Sequence, residues 1–99
     1  MVTIHIAKLA GTFAENKDIA RSIRVDRLLP TLQQNKEVVL DFDTVTGATQ
    51  SFIHALISNP IRKYGSEVLD LIIFKNCAPS IREIITTVTE YLQESQQEA

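Results

Sequence analysis

Two short apolar runs constrain the fold of this chain more than any other feature. Residues 37–42 (Glu-Val-Val-Leu-Asp-Phe) and residues 68–74 (Val-Leu-Asp-Leu-Ile-Ile-Phe) are almost continuously apolar and rich in β-branched side chains. Such runs are typical of strands buried on both faces, which occur mainly in parallel sheets covered by helices. Residues 2–7 alternate apolar and polar side chains instead, which predicts a strand with one exposed face.

Helical patterns follow the first two predicted strands. Residues from about 15 to 35 carry apolar side chains at helical spacing, including a stripe formed by Val25, Leu28, Leu29 and Leu32. Pro30 lies inside that stretch and predicts a kink or a break. A second helix is expected after residues 43–50, bending or stopping early at Pro60, with Gly65 as a left-handed cap. Its apolar face comprises Phe52, Ile53, Leu56, Ile57 and Ile61.

A third helix is predicted from Pro79 and Ser80 onward, and residues 93–99 are polar and expected to fray. Its apolar stripe comprises Ile81, Ile84, Ile85, Val88, Tyr91 and Leu92. The order βαβαβα predicts one small α/β domain over residues 1–99, with helices packed on a mainly parallel or mixed sheet. A fourth strand is expected near Gly11.

Composition excludes several functional classes. The chain has 99 residues, a net charge of −2 and no basic stripe, which argues against nucleic-acid binding. No apolar run is long enough to cross a membrane, and no signal peptide is evident. Cys77 is the only cysteine, so a reducing cytoplasm is the expected compartment. His5 and His54 have no ligand-type residues at metal-binding spacing, so neither a metal nor a cofactor is expected.

The loops at the carboxyl ends of the predicted strands carry most of the candidate polar groups, where open α/β sheets bind their ligands. The candidate partner- or ligand-binding residues are Gly11, Thr12, Asn16, Asp43, Thr46, Thr49, Gln50, Ser51, His54, Asn76 and Cys77. An alternative is that many of them only cap helices, which need Ser, Thr, Asp and Asn at their starts. Asp41 and Asp43 share one face, so one is expected to be buried and the other to form a turn.

Ser51 stands at or just inside the predicted start of the second helix. A phosphate at this position would be stabilised by free N–H groups and by the helix dipole. Ser51 is therefore a candidate phosphoacceptor or anion contact, with a purely structural N-cap as the alternative. Cys77 has no histidine near it in sequence, and a small buried apolar side chain is its alternative role.

Residues 38–56 resemble the central motif of STAS domains, named for sulphate transporters and anti-sigma factor antagonists. The chain is most similar to a bacterial STAS-like family of unknown function, through Gly-Thr-Phe-Ala-Glu-Asn-Lys at 11–17, Thr-Gln-Ser-Phe at 49–52 and Phe-Lys-Asn-Cys at 74–77. The resemblance implies a small α/β module that binds partners rather than catalyses. In the antagonists, an ATPase-type serine kinase binds the domain and phosphorylates a serine that corresponds to Ser51.

This chain departs from the antagonists around that serine. They have Asp-Ser-Ser-Gly where this chain has Thr-Gln-Ser-Phe at 49–52, which alters kinase recognition and access to the hydroxyl. We expect a non-catalytic regulatory module that binds a protein partner near Ser51, either a histidine-kinase-like ATPase with serine kinase activity or an anti-sigma type regulator. The alternative is a small-ligand or nucleotide-binding domain that uses the same strand ends. A homo-oligomer is a third hypothesis.

Overall fold

The computed structural model describes the backbone of residues 2–97 and the side chains of residues 2–94. Its strands are β1 (Val2–His5), β2 (Phe13–Ala14), β3 (Val38–Asp41), β4 (Gly47–Ala48) and β5 (Ile72–Lys75). Its α-helices are α1 (Ile6–Ala10), α2 (Lys17–Ile23), α3 (Leu29–Gln33), α4 (Gln50–Tyr64) and α5 (Pro79–Gln97). A π-helical segment (Arg24–Leu28) joins α2 to α3, and a 3-10 helix (Ser66–Leu71) precedes β5.

The main sheet consists of three parallel strands in the order β1–β3–β5. β3 is central, and all four of its residues are buried, as its continuous apolar run predicts. The register aligns His5, Asp41 and Lys75, so the three strands end at the same level. The predicted α/β class with a mainly parallel sheet and packed helices is therefore confirmed.

Strands β1 and β5 are both shorter than the sequence predicts. β1 ends at His5 and the chain continues into α1, whereas the predicted strand extended to Ala7. Residues 68–71, predicted as strand, form the end of the 3-10 helix, from which Val68 enters the core. Each of the two strands pairs with β3 over the four residues Val38–Asp41. β5 is also an edge strand with half-buried residues, not a strand buried on both faces.

The two faces of the main sheet have different surroundings. Side chains alternate between faces along a strand, so Ile4, Leu40 and Ile72 point to one face. There they form a single hydrophobic core with the buried side chains of α2, α4 and α5. The opposite face presents two rows across the strands, Thr3, Val39 and Ile73 in one and His5, Asp41 and Lys75 in the other. Val39 and Ile73 lie outside that core, although Val39 is only 6% exposed. Within the described residues the core therefore lies on the first face, called the covered face below, and the opposite face is called the open face.

A second, two-stranded parallel sheet links the segment after α1 to the loop after β3. β2 pairs with β4, so the strand expected near Gly11 is present two residues further on. The ring of Phe13 lies over its partner Gly47, since a Cβ on Gly47 would come within 2.9 Å of the ring. Beside this pair, the N–H and the hydroxyl of Thr46 both donate to the Thr12 carbonyl, at 2.7 and 3.0 Å.

The helix around Pro30 continues instead of breaking. Pro30 has no N–H, and the π-helical segment just before it takes up the irregularity, with the Leu29 N–H donating to the Arg24 carbonyl five residues back. The Thr31 hydroxyl donates to the Arg27 carbonyl at 2.9 Å and so satisfies an acceptor next to the proline. The wider π turn also changes the helical spacing. Val25, predicted to share the apolar stripe, is therefore 48% exposed.

Helix α4 passes through Pro60 and reaches Tyr64, so the predicted early stop is wrong. Pro60 itself is buried, and all five predicted core residues of α4 are fully buried beside it. Packing of this face outweighs the one backbone hydrogen bond that proline removes. The helix ends at Gly65, whose φ of +86° is positive as predicted but is paired with an extended ψ of 171°.

Helix α5 begins at Pro79 and extends to Gln97, which confirms the predicted start. Ile81, Ile85, Val88 and Leu92 are buried, but Tyr91 is 55% exposed and does not belong to the core. At 100° per residue, Tyr91 lies beside the buried stripe and directs its ring to solvent. Of the tail expected to fray, residues 93–97 continue the helix, and residues 98 and 99 lie outside the described residues.

Candidate functional site

The predicted binding residues gather at the carboxyl end of the main sheet, called the carboxyl edge below. Residues 43–50 and 76–78 directly follow β3 and β5. Residues 11–16 follow α1 rather than β1, but the pairing of β2 with β4 brings them beside residues 46–49. Three separate loops therefore share one edge, as the strand-end argument expects.

Most of these polar residues hold the loops together. Gly11 ends α1 with a φ of +81°, a conformation that favours glycine. The Asn16 side chain accepts hydrogen bonds from the N–H groups of Asp18 and Ile19, which start α2. Thr49 caps α4 in the same way, with Oγ1 accepting from the Phe52 N–H at 3.1 Å. The capping alternative is thus the observed role of Asn16 and Thr49.

Ser51 is not the cap of its helix but an exposed residue in the first turn of α4. It lines a surface depression of about 430 Å³, together with Gln50, His54, Lys17 and Ala55. We call this feature the α4 depression. Gln50, Ser51 and His54 are thereby brought together as predicted, whereas the part played by Lys17 was missed, because it comes from α2.

The residues that line the α4 depression include one cation, Lys17, and no carboxylate. The first-turn N–H groups of Gln50 and Ser51 have no partner within the helix, so they carry the positive end of the helix dipole. Lys17 contributes an ammonium group. Arg24, at the start of the π-helical segment, donates from Nη1 to the carbonyl of the lining residue Ala55 at 2.8 Å, and this contact is partly buried. An anionic group is the ligand that such a surface favours.

A second group of polar side chains is centred on Asp41, at the end of β3. Its Oδ1 accepts hydrogen bonds from the Asp43 N–H at 2.9 Å and from the Asn76 amide at 3.0 Å. Its Oδ2 lies 3.5 Å from Nδ1 of His5. Asp41 is only 9% exposed while Asp43 lies exposed in the turn, as the sequence predicts for this pair. Asn76 reaches Asp41 with a φ of +58°, which asparagine tolerates better than most residues.

These contacts favour the ionised form of Asp41. The hydrogen bond from Asn76 lowers the pKa of the Asp41 carboxyl most, and the bond from the Asp43 N–H lowers it further. Partial burial opposes this shift by raising the pKa, while the charges of His5 and Lys75 lower it again. Asn76 and Asp43 therefore belong to a carboxylate network, not to the α4 depression.

Cys77 is partly buried against the core, which agrees with the small apolar role considered for it. Burial raises the pKa of its thiol, the Asp41 carboxylate raises it further, and Arg82 opposes both. The neutral thiol is therefore the favoured form, and neutral thiols are poor nucleophiles. Its Sγ lies 3.9 Å from the Lys75 carbonyl, so Cys77 adjoins the carboxylate network.

The described residues contain neither a metal-ligand cluster nor a membrane-spanning helix. No three His, Cys, Asp or Glu side chains gather closely enough there to hold a metal ion. No helix among them is both long enough and apolar enough to cross a membrane.

Comparison with known proteins assigns this chain to a family. The model of the family described as "STAS-like domain of unknown function" matches residues 20–82, from α2 to the start of α5. Neither the curated proteins nor the solved structures provide a match. The family model covers well over half of the sequence, including β3, Ser51 of the α4 depression, and Asp41 with its hydrogen-bond donors Asp43 and Asn76. This chain belongs to the STAS-like domain family.

Proposed function

We propose that this chain is a non-catalytic regulatory module of the cytoplasm that binds a protein partner through the α4 depression. Phosphorylation of Ser51 would switch this binding. The observation that carries the proposal is the exposed Ser51 side chain in the first turn of α4, next to Lys17 and His54. The resemblance to anti-sigma factor antagonists supports it, because their phosphorylated serine corresponds to Ser51.

The charges around Ser51 explain why phosphorylation would act as a switch. A phosphoserine carries about −1.5 to −2 charges at neutral pH. On Ser51 these charges would be stabilised by Lys17 and by the first-turn N–H groups of α4. The modification would turn an electropositive surface into a neutral or negative one. A partner that fits the unmodified surface would then bind more weakly.

Binding fits the α4 depression better than catalysis does. Ser51 and His54 both line it, yet within the described residues no hydrogen bond joins them. Nucleophilic catalysis by serine requires a base within hydrogen-bond reach and a third group that orients that base. The arrangement instead suits recognition by a protein partner, either a histidine-kinase-like ATPase with serine kinase activity or an anti-sigma type regulator.

A binding experiment with matched variants tests the proposal. The proteins encoded by the genes next to that of this chain are purified, and their affinities are measured by calorimetry. We expect an ATPase or regulator among them to bind the wild type, and Ser51→Asp to change its Kd by at least about 10-fold. Ser80→Asp is the control, because Ser80 is an exposed serine in the first turn of α5. Equal effects of the two substitutions, or none, would remove Ser51 from the interface.

The α4 depression also favours a second function, which is binding of a small anionic ligand such as a nucleotide. Its volume of about 430 Å³ lies within the range of small-molecule sites. Thermal unfolding with ATP, GTP or cyclic nucleotides distinguishes the two functions. A ligand at 100 times its Kd stabilises the fold by about 2.7 kcal/mol and raises the Tm measurably. An unchanged Tm with every nucleotide would leave protein binding as the function.

A further inference from the structure

A cavity lies at the end of the main sheet opposite the carboxyl edge. It has a volume of about 320 Å³, and its walls come from the ends of α3 and α4 and from the 3-10 helix. We call it the amino-edge cavity, because α3 and the 3-10 helix precede β3 and β5 in the chain. Its apolar and aromatic lining residues are Leu32, Tyr64, Val68 and Leu71.

Two carboxylates of the 3-10 helix, Glu67 and Asp70, also line this cavity. Residues three positions apart are eclipsed in a 3-10 helix, so both side chains leave the helix on the same side, about 6 Å apart along its axis. Both are exposed, and within the described residues neither forms an ion pair, since the ion pair found there joins His5 to Asp41. Like charges this close on one side of a helix repel each other, so a cation between them would stabilise both.

The rest of the cavity lining contributes no compensating positive charge. Asn35, the remaining lining residue, is uncharged, and Arg62 and Lys63 in the last turn of α4 do not line the cavity. The last carbonyls of α4 carry the negative end of its helix dipole. The Lys63 ammonium lies 5.5 Å from the centroid of the Tyr64 ring, within the distance of a cation–π interaction. The ring therefore already attracts one alkylammonium group, and the cavity as a whole favours a cation.

We propose that the amino-edge cavity binds a small aliphatic diammonium cation. Glu67 and Asp70 would each accept hydrogen bonds from one ammonium group, while Leu32, Leu71 and Tyr64 would contact the methylene chain between the two groups. Two carboxylates about 6 Å apart along one helix axis match two ammonium groups that are joined by a short chain. The compound 1,4-diaminobutane has this spacing when extended, and alkylammonium groups are also cations that aromatic rings bind.

The apolar walls favour this ligand over a metal ion. Mg²⁺ and Ca²⁺ require several oxygen ligands, and among the described residues no three His, Cys, Asp or Glu side chains gather closely enough to hold a metal. Leu32, Val68 and Leu71 instead offer apolar surface that methylene groups can cover. The cavity volume of about 320 Å³ lies at the lower end of the range of small-molecule sites, which fits a ligand of this size.

The amino-edge cavity and the α4 depression are separate sites. Ser51 and Tyr64 lie near opposite ends of α4, about 20 Å apart along its axis. The two ends of the helix carry opposite partial charges, so the start of α4 favours an anion and its end favours a cation. The cation site does not depend on the proposed partner-binding function, and either can fail without the other.

Titration of the isotope-labelled chain with 1,4-diaminobutane tests the site. Amide chemical shifts are measured at neutral pH and constant ionic strength, because salt screens exposed charges. We expect saturable shifts at Tyr64, Glu67 and Asp70, with a Kd of about 1 mM. Glu67→Gln and Asp70→Asn should each raise this Kd about 5-fold, and Tyr64→Leu should raise it about 3-fold. All three side chains are exposed, so these substitutions should leave the fold intact.

Matched controls separate this site from nonspecific attraction of cations. Asp18 and Asp26 line another surface depression together with Arg21, so Asp18→Asn and Asp26→Asn should leave the Kd unchanged. Butylammonium, which has one charge, should bind about 5-fold more weakly, and MgCl2 should give no saturable shift at Tyr64. The proposal is overturned if no shift saturates at Tyr64 up to about 20 mM diamine, or if butylammonium binds equally well. A Kd that is insensitive to Glu67→Gln and Asp70→Asn, or equally sensitive to the control substitutions, overturns it as well.

Discussion

The two faces of the main sheet are built from the same three strands but differ in how their side chains are buried. On the covered face, Ile4 and Leu40 are fully buried against the helices. On the open face, Thr3 and Lys75 are exposed, and Val39 is shielded although it lies outside the core. Parallel sheets are usually covered on both faces, so the open face must be compatible with water.

The comparison shows how a parallel sheet tolerates one uncovered face. Three of the four edge positions of the open face carry Thr3, His5 and Lys75, whose polar groups reach solvent, and Ile73 occupies the fourth. Its central strand places Val39 between these neighbours and ends in Asp41, which is satisfied by hydrogen bonds instead of apolar packing. Apolar burial therefore stabilises the covered face, whereas polar contacts organise the carboxyl edge of the open one.

The largest loss of stability is expected from truncation of a core side chain on the covered face. Leu40→Ala removes a fully buried side chain from the covered face and should lower the free energy of unfolding by about 3 kcal/mol. Thr3→Ala, on the open face, should change it by less than about 0.5 kcal/mol. Urea denaturation followed by circular dichroism measures both. Comparable losses would mean that the open face also depends on packing.

Two isosteric substitutions compare the two faces of the sheet within one strand. Val38 and Val39 are adjacent in β3, are 0% and 6% exposed, and point to opposite faces. Val38→Thr buries a hydroxyl in the apolar core and should lower the free energy of unfolding by about 2 kcal/mol. Val39→Thr places its hydroxyl outside the core, in one row with the exposed Thr3 side chain, and should cost less than about 1 kcal/mol. Urea denaturation measures the free energy of unfolding of both variants. Equal losses would contradict a core that lies on one face only.

The smallest effect is expected from pH and concerns Asp41. Its pKa in the folded protein lies below the ordinary value of 3.8, mainly because of the hydrogen bond from Asn76. A lowered pKa stabilises the fold above pH 3.8, and this contribution disappears as the pH falls through the folded-state pKa. The difference in free energy of unfolding between wild type and Asp41→Asn should therefore shrink upon acidification.

Asp43→Asn is the control for that titration. Asp43 contributes its N–H to the network and keeps it after substitution, while its own side chain is exposed. Replacing Asp41 by Asn in the Asp43→Asn background should therefore give the same pH-dependent difference. A wild-type advantage over Asp41→Asn that stays constant down to the most acidic folded samples would show that Asp41 is not stabilised as an anion.

The predictable parts of the fold are those that local pattern determines. The continuous apolar run of β3 and the apolar stripes of α4 and α5 were sufficient to predict these elements, because their periodicity reflects which side chains enter the core. The apolar run before β5 was misleading, because a 3-10 turn and a strand can both bury Val68. Pro30 and Pro60 were misleading in another way, since packing and a π turn compensated for missing hydrogen bonds that local rules treat as decisive.

Those parts of the candidate site whose residues are close together in the sequence were predictable. Strand ends and helix starts indicated the loops around Thr49 and Ser51, and residue type indicated the capping alternative. The partnership of Asp41 with Asn76 spans 35 positions and follows only from the register of β3 with β5. Lys17 was missed for the same reason, because it reaches the α4 depression from another helix.

One carboxylate oxygen accepts hydrogen bonds from the starts of two loops. Oδ1 of Asp41 accepts from the Asp43 N–H, in the loop before α4, and from Asn76, in the loop before α5. A displacement of Asp41 toward either donor lengthens its bond to the other, so the two loops cannot adjust independently. We therefore expect the two loops to loosen together when this shared acceptor is lost. The protection of the Asp43 amide against hydrogen exchange would then report on events at either helix.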